Sequence, residues 1–158
     1  MKKSLKPITT IIAVVLFSLN AKSQALLTPA ELLHAYQVND SSVNAMLTQK
    51  GYQMQRLQEN NGEKTNTWYF QVRQDDFTDF NLLKITSAQK TAIRYWIMNP
   101  FFFKQFMDTL VNENYKFTEF RIIDKEYYFV FKNGDKQLLV GQKKVTGKED
   151  DYFEIMIN

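Results

Sequence analysis

The chain has 158 residues, no cysteine, 20 Lys and Arg against 17 Asp and Glu, and an aromatic content of 15%. The missing cysteines exclude a disulfide framework and a lipid-modified N-terminal cysteine, and so many aromatic residues exclude the composition of a disordered chain. The formal charge of +3 makes no case for nucleic acid, because its source is confined to the first residues.

Lys2, Lys3 and Lys6 precede the apolar run Ile8 to Leu19, which ends in Asn20-Ala21-Lys22-Ser23. That is the layout of a secretory signal peptide cleaved before Gln24. The run is 12 residues long, whereas a membrane-spanning helix needs about 20. Residues 1–23 are therefore expected to be removed, leaving no membrane anchor and an exported product, periplasmic or secreted. The segment carries four basic residues and no acid, so the 135 residues after it hold 16 bases against 17 acids. The basic stripe that nucleic-acid binding requires is absent. Lys143, Lys144 and Lys148 do cluster, but Glu149, Asp150 and Asp151 follow at once.

Thr28-Pro29-Ala30-Glu31 is a capping box with proline at the first helical position, which predicts a helix from Pro29 to about Gln37. A second helix is expected from Ser41 or Ser42, with Val43, Met46 and Leu47 on one face and Gly51 at its end. The strand that begins at Tyr52 has two polar residues between Met54 and Leu57 where alternation allows one, so a bulge is predicted there. Strands follow over Thr67 to Val72, Leu82 to Thr86 and Ala92 to Met98. The polar loop Gln74 to Asp79 joins the first two of these.

Asn99-Pro100 opens an amphipathic helix with Phe103, Phe106, Met107, Leu110 and Val111 on one side, ending near Asn114. From there the chain repeats itself. Asn114-Tyr115-Lys-Phe117-Thr-Glu-Phe120 matches Gly51-Tyr52-Gln-Met54-Gln-Arg-Leu57, and Val43 and Leu47 match Phe106 and Leu110 at the same offset of 63. Tyr127 to Phe131, Leu138-Leu139 and Phe153 to Met156 continue the echo, and Lys132-Asn133-Gly134-Asp135 reads as a type I′ hairpin. The expectation is an α+β fold from an internal duplication: residues 24–99 and 100–158 each supply helix and four strands. The halves share one extended antiparallel sheet with helices packed on one face.

Alternation then sorts the strands. Trp68, Phe70 and Val72, Tyr95 and Ile97, Tyr127, Phe129 and Phe131, and Phe153, Ile155 and Ile157 are expected to face the helices. The opposite face collects Tyr69, Trp96, Met98, Tyr128, Tyr152 and Met156, among Arg94, Glu126, Lys132 and Glu154. Tyr, Trp, Met and Arg are the types enriched at interface centres, so these six are the candidate partner-binding residues, with Trp96 and Tyr128 as anchors. A covering loop or helix pair would instead make the same face a second core.

Tandem units of helix plus four-stranded sheet with an aromatic sheet face resemble the architecture of the beta-lactamase inhibitory proteins. The resemblance spans residues 28–158 in element order alone, and it departs in the cysteines that family carries. It implies an exported protein that clasps another protein with its sheet.

Catalytic machinery is not evident. His34 is the single histidine and there is no cysteine nucleophile, so His-assisted nucleophiles and His/Cys zinc sites lack their parts. Asp75, Asp76 and Asp79 lack calcium-loop spacing, and the scattered glycines make no phosphate loop. No cofactor and no metal is expected. The expected function is a non-enzymatic module binding another exported protein, as an inhibitor or immunity-type antagonist. The alternatives are a small-ligand or carbohydrate binder, a carbohydrate-active enzyme using Glu126 and Glu154, and association of two copies.

Overall fold

The computed structural model describes residues 25–70, 80–144 and 151–158. The expected signal segment, Val72, the loop Gln74 to Asp79, and Lys148 to Asp150 lie outside them. The fold is α+β. Among the described residues three helices, α1 (Pro29–Gln37), α2 (Asp40–Gln49) and α3 (Pro100–Asn112), pack against one antiparallel sheet. Its strands are β1 (Gln53–Asn60), β2 (Glu63–Phe70), β3 (Phe80–Thr86), β4 (Thr91–Ile97), β5 (Lys116–Ile123), β6 (Glu126–Asn133), β7 (Lys136–Lys144) and β8 (Asp151–Ile157).

Their spatial order is β1-β2-β3-β4-β8-β7-β6-β5. Two four-stranded meanders thus meet through their last strands, β4 and β8, and leave their first strands as the edges. The same local chemistry starts both meanders. Gly51 and Asn114 take positive φ, +86° and +61°, and the next residue closes the helix by donating to a carbonyl five residues back: Tyr52 to Leu47 and Tyr115 to Leu110. β1 is bulged between Met54 and Arg56, and β5 between Phe117 and Glu119.

α1 follows its capping box, with Glu31 N–H donating to the Thr28 hydroxyl and Thr28 N–H to the Glu31 carboxylate. α2 starts earlier than expected, because Asn39, not a serine, caps it through the Ser42 amide. Along α3 the buried line is Phe102, Phe106 and Leu110, with Phe103 and Met107 half-buried. Val111 is a correction: it faces solvent, since the covered stripe advances in steps of four and passes one side of it.

The main core lies between helices and sheet and is built on Trp68, Phe80, Leu82, Ile93, Tyr95, Ile97, Leu138, Val140 and Ile155. Several polar groups within it are paired. The Tyr52 hydroxyl bonds the Ala25 carbonyl at 2.9 Å and lies 3.2 Å from the Tyr95 hydroxyl, which accepts from Leu27 N–H. The Trp68 indole donates to Asn44 on α2. Lys84, buried on β3, donates to the Val38 carbonyl at the end of α1 and lies 3.5 Å from Asp40 at the start of α2. One ammonium thereby pins the joint between the two helices to the sheet.

One hairpin differs from expectation. In the β6–β7 turn Asn133 still pairs with Lys136, so the central residues are Gly134-Asp135 and only Gly134 has positive φ. The β1–β2 turn, by contrast, carries Asn61-Gly62 with both φ positive, the geometry of a type I′ turn.

Candidate functional site

Alternation along β4, β8, β7 and β6 places one cross-strand row on the face opposite the helices: Trp96 opposite Glu154, Glu154 opposite Gly141, Gly141 opposite Tyr128. Gly141 has no side chain, and that vacancy lets the Tyr128 ring lie across β7. A Cβ there would stand 2.7 Å from the ring. The Tyr128 hydroxyl therefore reaches past β7 and donates to Glu154 Oε2 at 2.5 Å, while the Trp96 indole N–H donates to Oε1 at 2.9 Å.

Glu154 is only 1% exposed. Burying a carboxylate demands compensation, and two cations supply it beside the hydrogen bonds. Arg94 lies 3.5 Å from Oε1 and Lys143 lies 3.7 Å from Oε2. Lys143 also approaches Glu126 at 3.9 Å and stands over the Tyr128 ring. Burial first, and then the Glu154 carboxylate, push the Tyr128 hydroxyl well above the ordinary tyrosine range. Tyr152 is raised by burial and by Glu154 and Glu126. Both phenols stay protonated donors through the neutral range.

Of the six candidate residues, the structure gathers Trp96, Tyr128, Tyr152 and Met156 around Glu154. Tyr152 meets Trp96 edge-on, with ring centroids 6.4 Å apart. Tyr128 and Met156 are buried, packed with Val130 and Leu139 into a small second cluster. Trp96, Tyr152, Met98 and Tyr69 are half-exposed, and Tyr69, out on β2, bonds Gln53. Among the described residues no helix lies over this face. Of the enzymatic pair, Glu154 is buried with both oxygens engaged in hydrogen bonds.

Reading the strands by alternation missed a second surface. On the helix side of β5 and β6, Phe117, Phe120, Ile122, Tyr127 and Phe129 are all exposed, Tyr127 by 67%. The rings of Phe117, Phe120 and Phe129 form one cluster, with Phe120 5.0 Å from both Phe117 and Phe129. Tyr127 and Phe129 were expected in the core. They face the expected way, but α3 packs over β4 and β8 and does not cover this hairpin. The signal was present in the sequence, since the second half carries one helix where the first carries two.

The surface clefts among the described residues include one of about 150 Å³ and one of about 460 Å³. One is lined by Ser87, Lys90 and Arg94 at a sheet end, the other by Gln58, Glu59 and Asn60 at the β1–β2 tip. The first also takes in Met156, one of the six candidates, and neither includes Trp96, Tyr69 or Tyr152. No family model, no curated protein and no solved structure matches the chain.

Proposed function

We propose that the protein is an exported, non-enzymatic binding module that engages another exported protein through the helix-free face of its sheet and acts by occlusion, as an inhibitor or immunity-type antagonist. The observation that carries this reading is the anchoring of Trp96. Its indole N–H is held by a buried carboxylate and its ring is backed edge-on by Tyr152, while part of its surface stays open to solvent. An aromatic side chain ordered before the partner arrives gives up little conformational entropy on binding, and rigid Trp and Tyr anchors commonly dominate interface energetics. Tyr69 and Met98 extend the half-exposed apolar surface to either side. A small-ligand carrier would need an enclosed apolar pocket of some hundreds of cubic ångströms, and the cleft of about 150 Å³ that reaches this face through Arg94 and Met156 is smaller than that.

The test is affinity capture from the exported fraction of the source cells and of competing cells, with the native protein as bait beside a Trp96→Ala, Tyr69→Ala variant of unchanged circular dichroism. A protein retained by the native bait and lost by the variant supports the reading, with a loss of at least about 2 kcal/mol in binding for Trp96→Ala. Equal capture by both baits removes it.

A further inference from the structure

We propose that two copies of the chain join through β5, antiparallel and about a two-fold axis at Phe120, so that the sheet continues from one copy into the other. β5 is an edge strand, and an edge presents unpaired backbone donors and acceptors that template another strand. This edge also carries the exposed aromatic cluster on one face. The opposite edge, β1, has only Met54 and Leu57 as large exposed apolar residues.

The register follows from two constraints. In a continuous antiparallel sheet, residues opposite each other share a face, so a two-fold axis normal to the sheet must pass beside a residue and not between two. Along the regular part of β5, Glu119, Arg121 and Ile123 share the helix-free face with Val130, Tyr128 and Glu126, whereas Phe120 and Ile122 share the other with Phe129 and Tyr127. An axis at Arg121 sets two guanidinium groups against each other. An axis at Ile122 opposes Phe120 to Asp124. An axis at Phe120 opposes Glu119 to Arg121 of the second copy on one face, twice, and Phe120 to Phe120 on the other. Only this register is complementary in charge and in apolar contact together.

Within one copy Arg121 already bonds Glu119 at 2.6 Å, so the joint would hold two like pairs in a four-charge cluster. The two-fold also brings the aromatic clusters of both copies edge to edge. The chain itself provides the precedent for such a seam, because β4 and β8, each the last strand of a meander, already pair antiparallel at the sheet centre.

The experiment is sedimentation of the purified protein over a concentration series, with two charge-reversal variants. The native protein is expected to shift from monomer to dimer with concentration. Arg121→Glu makes the strand doubly acidic and Glu119→Arg makes it doubly basic, so each alone is expected to stay monomeric. Mixed, they are expected to form a heterodimer, since every cross-strand pair is then complementary. Matching circular dichroism keeps misfolding out of the comparison. A native protein that stays monomeric at its highest soluble concentration overturns the proposal. So does a dimer that survives Arg121→Glu unchanged, or a mixture that stays monomeric while the native protein dimerises; either would place any dimer on the aromatic face or elsewhere.

Discussion

Trp96 and Tyr128 stand on strands of different meanders, yet they donate to opposite oxygens of one carboxylate, that of Glu154. The half of the sheet that ends in β4 and the half that contains β6 are thus joined by side chains as well as by the β4–β8 ladder. Glu154→Ala would leave an indole N–H, a phenol and parts of two cations without their acceptor. Stability is expected to fall by about 3 kcal/mol, discounted for the solvent that reaches Arg94. Glu154→Gln, which keeps one acceptor, should cost about 1 kcal/mol. Urea denaturation of the three proteins checks the order; an unchanged midpoint for Glu154→Ala would mean that the carboxylate is not engaged.

Gly141 makes that junction possible by being absent from the space above it. Gly141→Ala puts a methyl group against the Tyr128 ring and is expected to destabilise by about 1–3 kcal/mol. In the double variant Gly141→Ala, Tyr128→Ala the penalty of the alanine should largely vanish, because the clash goes with the ring. A penalty that persists in the double variant would place its origin in the β7 backbone.

Alkaline stability has its own signature. Tyr52, Tyr95 and Tyr128 have hydroxyls raised well above the usual tyrosine range, in each case mainly by burial. A group whose folded pKa is raised stabilises fully below its unfolded pKa and loses that contribution as pH climbs toward the folded value. Stability should therefore begin to fall as pH passes about 10. Tyrosinate absorbance should show a late fraction that ionises together with unfolding. A single smooth titration of all eight tyrosines near the ordinary value would contradict the buried hydroxyl pair and the Tyr128–Glu154 bond.

At the acid end the joint between α1 and α2 is the sensitive point. Burial opposes ionisation of Asp40, but Lys64 at 2.9 Å and Lys84 outweigh it and hold the carboxyl below its usual range. A depressed folded pKa stabilises above the unfolded value and is lost as pH falls through the folded one. Asp40→Asn should thus lower stability at neutral pH while flattening its decline between roughly pH 5 and pH 2. Parallel acid-denaturation curves for the two proteins would count against the pairing.

Much of the backbone was legible because its signals are local. The capping box of α1, the left-handed Gly51 and Asn114 and the bulge after Met54 are each dictated by a few adjacent residues. Alternation also placed on the expected face the named residues that lie within the described strands. What it could not reveal is cover. Tyr128 and Met156 sit on the expected face but are closed over by Val130, Leu139 and Lys143, side chains set beside them by the pairing of β6, β7 and β8. Tyr127 and Phe129 sit on the expected face and are open, because a helix that would have covered them is not part of the second half. Gly141 carried no local mark, for its role depends on a ring two strands' width from Trp96.

The strand order has a kinetic consequence. β8, the last strand in sequence, occupies the middle of the sheet and pairs with both β4 and β7. As the chain emerges, β4 keeps an unpaired margin bearing Ile93, Tyr95 and Ile97 until Ile155 and Ile157 arrive some 60 residues later. Closing so long a loop is entropically slow. The first meander must therefore wait, half-formed and prone to mispairing, for the residues that complete its centre. A chain shortened by that one strand would not lose an edge; it would come apart into two unfinished halves.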